Sequence, residues 1–160
     1  MSNIDLEILS SLTKKALGIP YILETIKLLK KEILRSDESF IWKALSEQLL
    51  EETFPNEIQS GWIFVLKPDT TTPSHYHPNS VQYTTVIEGQ GRIKIGEKEE
   101  EVRIFDSRRT SPIWYIIPEN VSHSVTITNR AMVIFSFHTC PTKELVEVET
   151  SSGRSRVYER

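Results

Sequence analysis

Apolar residues recur every three or four positions through residues 1–52, which is the spacing of one face of an α-helix. A first helix is predicted to end at Gly18, and Pro20 suits the first turn of a second helix. Ser36, followed by two acidic residues, has the character of an N-cap and predicts the start of a third helix. The three apolar faces comprise Ile4, Ile8, Leu9, Leu12 and Ala16; Ile22, Leu23, Ile26, Leu29 and Ile33; and Phe40, Ile41, Trp42, Leu45 and Leu49. Such faces predict helices that pack on the outside of a β-domain or form a homodimer contact.

The period changes from helical spacing to alternation after Phe54-Pro55-Asn56. We therefore expect one folding unit, with a helical segment over residues 1–55 and a β-domain over residues 56–160. Seven strands are predicted, at Trp62–Lys67, Gln82–Glu88, Arg92–Ile95, Glu100–Ile104, Trp114–Ile117, Ser122–Thr128 and Ala131–Thr139. Short strands separated by turns indicate a mainly β fold, a sandwich or jelly roll. The charged tail from Lys143 is predicted to be frayed or exchanged with a partner.

Composition narrows the function classes. The chain has 160 residues, enough for one domain, and 19 basic against 22 acidic residues give a net charge of −3. This balance argues against nucleic acid or an anionic membrane surface as a partner. No apolar run approaches the ~18 residues of a membrane span, and the N-terminus is acidic, so we expect a cytoplasmic protein. The single cysteine, Cys140, excludes an intrachain disulfide and fits a reducing compartment.

Two histidines separated by one residue, His75 and His77, point to a metal site. Side chains alternate between the faces of an extended strand, so both imidazoles point the same way and reach one ion. A second strand must supply the other ligands, and Gln82 and His123 are the candidates. Three nitrogens, or nitrogens with an oxygen, suit Fe, Zn, Ni, Cu or Mn.

The stretch from His75 to Gly89 resembles the first motif of the cupin family, His-x-His followed by Glu and later by Gly, with Gln82 at the place of Glu. The segment from Pro118 to His123 is similar to the second motif, Pro-x-Gly-x-x-His. Asn120 stands at its turn glycine, and asparagine also tolerates the left-handed conformation. The resemblance covers residues 60–140. It implies a jelly-roll β-barrel with His75, His77 and His123 as metal ligands and Gln82 at the fourth position.

Cupin strand pairing also implies which side chains face the barrel interior. The inward set would be Gln82, Thr84 and Val86; His123, Val125 and Ile127; and Met132, Ile134, Ser136 and His138. Tyr83, Thr85 and Ile87 would face the helices. The candidates for substrate contacts are Phe64, Thr84, Val86, Met132 and Ile134. His138 is expected to share a hydrogen bond with Ser136 beside the metal, or else to be a satisfied structural histidine.

Within the cupins, the chain resembles the thiol dioxygenases, of which the cysteine dioxygenases are an example. Thr72 to His77 is similar to their Thr-Pro-x-His-x-His, and Ser36 to Trp42 is similar to a turn that precedes their barrel. Ser136 to Cys140 is similar to their Ser-x-His-x-Tyr. The resemblance implies Fe(II), with Zn, Ni or Mn as alternatives, O₂ as a co-substrate, and Ser136, His138 and Cys140 as catalytic residues, with Cys140 replacing Tyr.

Three functions remain open at this point. The first is an Fe(II) dioxygenase acting on a small thiol or organic acid, since three neutral ligands leave the ion its full charge and open positions. The second is a non-catalytic cupin that binds a metal and a small molecule. The third is a metal-dependent isomerase, lyase or decarboxylase, because a fold alone does not choose a reaction. The strand Trp62–Lys67 contains no arginine to hold a carboxylate, so the candidate anion anchors are Arg92, Arg103, Arg108 and Arg109.

Overall fold

The computed structural model describes residues 5–106, 108 and 113–158. Three helices occur there: α1 (Leu6–Leu17), α2 (Pro20–Ile33) and the short α3 (Glu47–Leu50). Gly18 caps the end of α1 and Pro20 is the first residue of α2, which confirms both predicted helix limits. Ile4 lies outside the described residues. None of these helices is long and apolar enough to cross a membrane.

The predicted third helix is wrong, because Phe40–Ala44 forms strand β1 and only the four residues of α3 are helical. β1 pairs antiparallel with the next strand along the chain, placing Trp42 opposite Phe64. Phe40 and Trp42 pack between the sheets, whereas Ile41 packs under the helices. A run of bulky residues buried on both faces carries no two-residue alternation, so periodicity does not separate it from a helix.

Eleven strands of the described chain build two antiparallel sheets. The first sheet has the order β1-β2-β9-β4-β7 and the second β11-β10-β3-β8-β5-β6. After β1, the strands are β2 (Ser60–Leu66), β3 (His75–Tyr76), β4 (Gln82–Glu88), β5 (Gly91–Ile95), β6 (Lys98–Glu101), β7 (Tyr115–Ile117), β8 (His123–Ile127), β9 (Met132–His138), β10 (Val146–Glu149) and β11 (Ser155–Val157). The fold is therefore mainly β, a two-sheet jelly roll with N-terminal helices.

Two hydrophobic clusters lie on opposite sides of the first sheet. One joins α1 and α2 to its outer face and contains Leu9, Ile26 and Phe135. The other fills the space between the sheets and contains Trp62, Val86 and Ile134. The helices thus pack on the sheet, the first of the two predicted alternatives. Two residues predicted for the apolar helix faces are instead exposed, Ile8 at 42% and Leu23 at 49%.

The C-terminal tail is not frayed within the described residues, so the first of its two predicted alternatives is wrong, and exchange with a partner stays a prediction. β10 and β11 form a hairpin, and β10 pairs with β3, the strand that carries His75.

Two motif positions also have the expected backbone. Asn120 adopts φ 64°, as its place at the turn predicts, and Gly89 has φ 107° with Met132 Cα only 2.8 Å from where a Cβ would lie.

Candidate metal centre

Three histidines converge between the two sheets. β3 pairs with β8 so that His75 lies opposite His123, and His77 follows directly after β3. The ring centroids are 4.4 Å apart for His75 and His123, 5.3 Å for His75 and His77, and 5.4 Å for His77 and His123. One nitrogen from each ring lies within 4.8 Å of the others. The three histidines predicted to share one site thus lie together in the structure.

The hydrogen bonds of these rings orient them for one ion. Each Nδ1 lies within hydrogen-bond distance of a backbone carbonyl: Pro73 for His75 (3.0 Å), Val146 for His77 (2.8 Å) and Val121 for His123 (3.1 Å). A carbonyl only accepts, so each Nδ1 carries the proton and each Nε2 presents a lone pair. The Nε2 of His123 is buried and has no hydrogen-bond partner. A divalent transition metal would satisfy that atom, so the residues fit a metal.

Burial keeps the three imidazoles neutral. Desolvation, together with the neighbouring His75, lowers the pKa of His77 to about 4. Desolvation also lowers the pKa of His75 and that of His123. A neutral imidazole is the form that binds a metal. The site therefore needs no proton release from its histidines to accept an ion at neutral pH.

Gln82, at the start of β4, points into the same cavity. Its Nε2 donates to Ser136 Oγ at 3.3 Å, while its Oε1 is buried without a hydrogen-bond partner. Such an atom is costly to bury unless something outside the described protein atoms satisfies it. The amide oxygen is therefore available either to an ion or to a molecule bound beside it.

His138 is held by a different serine from the one predicted. Its Nδ1 lies 2.8 Å from Ser80 Oγ, whereas Ser136 Oγ pairs with Thr84 Oγ1 at 2.6 Å. The expected hydrogen bond between His138 and Ser136 is thus wrong, because Ser136 is directed across to β4. The His138 ring is fully buried, packs edge-on against His77 at 5.1 Å, and leaves its Nε2 without a hydrogen-bond partner. No motif in the sequence pointed to Ser80.

The histidines open on a cavity of about 50 Å³, room for a few water molecules. Of the predicted substrate contacts, Phe64 and Ile134 line it, but Thr84, Val86 and Met132 do not. The other lining residues are Phe40, Leu66, Thr72, Gln82, Ser124, Val125, Ser136 and Tyr158. Phe40 and Tyr158 were missed because they come from the segment taken as a helix and from the tail. No charged residue of the described chain lines this cavity.

The remaining predicted residues lie away from the cavity. Cys140 is buried beside Asn79, and burial together with Glu144 raises its pKa to about 11, so the thiol is protonated at neutral pH. Among the candidate anion anchors, Arg92 pairs with Glu99 and Arg108 with Asp106, both with exposed arginine side chains. Arg103 is not a lining residue either, and Arg109 is outside the described residues.

Acidification is expected to destabilise the metal-free protein. Above pH ~6.5, His77 is neutral in both the folded and the unfolded chain. Between pH ~6.5 and about 4, the unfolded chain binds a proton at His77, whereas the folded chain does not, because its His77 pKa is about 4. The free energy of unfolding should therefore decrease as the pH is lowered. From His77 alone, the decrease between neutral pH and pH 4 is about 3 kcal/mol. Urea unfolding of the metal-free protein across this range measures the loss. His77→Gln should show a smaller loss, and an identical loss in that variant would contradict the assignment.

Comparison with known proteins agrees with the jelly-roll fold. Residues 62–137 match the family model of the cupin domain. The chain is similar to the cupin domain over this segment, which is just under half of its 160 residues. No curated protein matches the sequence at a significant level. The closer resemblance to the thiol dioxygenases stays a hypothesis.

Solved structures show the same fold at low identity. Pumpkin seed globulin is 16% identical with a TM-score of 0.54, the match covering 71% of this chain and 29% of the globulin. Oxalate decarboxylase from Lactobacillus farciminis, in its formate complex, is 11% identical with a TM-score of 0.53, covering 72% and 32%. An oxalate oxidase in complex with the substrate analogue glycolate is 17% identical with a TM-score of 0.50, covering 72% and 57%. The match spans less than two thirds of each of these chains, and the likeness shows the fold alone.

Proposed function

We propose that His75, His77 and His123 bind one Fe(II) ion and that the protein is a dioxygenase acting on a small thiol or organic acid. The convergence of three neutral imidazoles, each with its Nδ1 held by a backbone carbonyl, carries this proposal. Zn, Ni and Mn are the alternative ions, because the same donors suit them. Bound Fe(II) would supply the Lewis acidity and redox chemistry that a reaction with O₂ needs.

The donor set favours an anionic ligand on the ion. Three imidazoles bring no negative charge, and Gln82 offers a neutral oxygen where a carboxylate would offset the ion's charge. A thiolate or carboxylate of the substrate would supply that charge. The free Oε1 of Gln82 is placed to accept a hydrogen bond from the bound substrate.

The cavity wall indicates the polarity and charge of the part of the substrate that does not bind the metal. Phe40, Phe64 and Ile134 offer an apolar surface, and no charged side chain of the described residues lines the cavity. A substrate with a second charged group would lose hydration there without gaining a partner. Small thiols with an uncharged body therefore fit better than amino acids or dicarboxylic acids.

Neighbouring residues hold the site in place. In this proposal His138, fixed by Ser80, supports the His77 ring, and Ser136 orients the Gln82 amide. Both act through residues that touch the ion or the substrate. Cys140 is left out because it does not line the cavity and its thiol is protonated. A homodimer and a cytoplasmic location stay predictions.

Oxygen uptake by the Fe(II)-loaded protein tests the proposal. The protein would be loaded without air and then mixed with O₂ and a panel of substrates: small uncharged thiols, cysteine, and short organic acids. We expect uptake with the uncharged thiols, one O₂ per thiol oxidised to its sulfinic acid, at higher kcat/KM than with cysteine. Saturable ligand binding without O₂ uptake by any member would instead favour the non-catalytic cupin. Conversion of an organic acid without O₂ uptake would favour the lyase or decarboxylase.

A further inference from the structure

A buried carboxylate on the C-terminal hairpin lies against one of the three histidines. Glu147 of β10 is only 7% exposed, and its Oε1 is 3.3 Å from His75 Nδ1. The same Nδ1 points at the Pro73 carbonyl at 3.0 Å. The proton on that nitrogen therefore faces a neutral acceptor and, beside it, an anionic one.

The carboxylate is fixed by two further groups. Arg156 Nε donates to its Oε2, and the Tyr158 hydroxyl donates to its Oε1 at 3.0 Å. The Arg156 guanidinium lies over the rings of Phe40 and Trp42, 5.1 and 5.3 Å from their centroids. Pairing and hydrogen bonding of this kind offset the cost of burying a carboxylate and hold it in one position.

The same strand contacts a second histidine. The backbone carbonyl of Val146, the residue before Glu147, accepts the hydrogen bond from His77 Nδ1. β10 thus provides a partner for two of the three imidazoles, through one carbonyl and one carboxylate. Arg156 alone would satisfy the charge of Glu147, so the contact with His75 is not required for burial of the carboxylate.

We propose that Glu147 is a positioning residue of the metal centre, which makes the C-terminal hairpin part of the site. This inference rests on the proposed metal binding by His75, His77 and His123. A negative charge beside Nδ1–H makes Nε2 a better electron-pair donor and holds the ring in one orientation. Arg156 offsets part of the charge and fixes the position of the carboxylate. Removing the carboxylate charge should therefore weaken metal binding while the hydrophobic core, and with it the fold, stays intact.

Glu147→Gln tests this inference, and Glu38→Gln is the matched control. Both glutamates contact Arg156, Glu38 at 3.7 Å, but only Glu147 reaches His75. Co(II) affinity would be measured by competition with a chelator, together with the visible spectrum of the Co(II)-loaded protein. We expect Glu147→Gln to lose about 10- to 100-fold in affinity and to shift the spectrum, and Glu38→Gln to match the unaltered protein.

The outcomes separate this inference from the proposed function. Co(II) affinity of Glu147→Gln equal to that of the unaltered protein would overturn the role of Glu147 and leave the histidine site standing. No Co(II) binding by the unaltered protein would overturn both. If Glu147→Gln does not fold, Tyr158→Phe removes one donor to the carboxylate and Glu147→Asp withdraws it from His75. At least one of these folded variants should bind Co(II) more weakly, and unchanged affinity in both would refute the inference.

Discussion

Metal binding should be lost when His77 is replaced by alanine. The variant removes one of three nitrogens that lie within 4.8 Å of each other and leaves two imidazoles, which hold a divalent ion poorly against a chelator. We expect affinity to fall on the order of a thousandfold, about 4 kcal/mol. Chelator competition with Co(II) or Zn(II) measures the change, and urea unfolding of the metal-free variant checks that it is folded.

His138→Ala is the control for that experiment. His138 is also buried, and its ring centroid lies 5.1 Å from that of His77. His138 does not belong to the group of three histidines that could hold one ion. It should retain the metal and lose turnover, because it supports a ligand rather than binding the ion. Unchanged metal affinity in His77→Ala would refute the ligand assignment. Equal losses in the two variants would make His138 a fourth ligand.

Gln82→Glu is expected to change both the metal affinity and the reaction. The side chain ends in an oxygen that is buried without a hydrogen-bond partner, so the carboxylate would occupy the same place with a negative charge. Mn(II) and Ni(II) should bind at least about tenfold more tightly, about 1.4 kcal/mol. O₂ uptake should be lost, because the carboxylate lowers the Lewis acidity of the ion and fills a substrate position.

Gln59→Glu provides the matched change outside the site. Gln59 is exposed, and its amide bonds to the Thr139 carbonyl. This control adds the same charge to the protein and should leave metal affinity and O₂ uptake as they are. If Gln82→Glu behaves like Gln59→Glu in both measurements, then Gln82 does not approach the ion.

The histidine cluster could be predicted because it depends on local geometry. Alternation along the segment that contains β3 places His75 and His77 on one side of the sheet. The second motif places His123 on the neighbouring strand. The faces of β4 and β9 followed from the same two-residue period. Tyr83 and Phe135 pack toward the helices, while Val86 and Ile134 pack between the sheets, as predicted for β4 and implied for β9.

The partners of these residues depend on contacts between distant segments, which the sequence pattern does not encode. Ser136 is two residues from His138 on one strand, yet the register of β9 against β4 directs it to Thr84, and a loop serine, Ser80, meets His138 instead. Glu147 and Tyr158 approach the site only because β10 pairs with β3. The run Val146-Glu147-Val148-Glu149 does alternate, but four residues in a charged tail are a weak strand signal.

Elemental analysis of the purified protein tests directly whether the three histidines bind a metal. After dialysis against buffer free of added metal, we expect about one equivalent of a transition metal per chain, mainly iron, and we expect that metal to be absent from His77→Ala. A chain that retains no transition metal, and that takes up neither Fe(II) nor Co(II) when they are supplied, would contradict it.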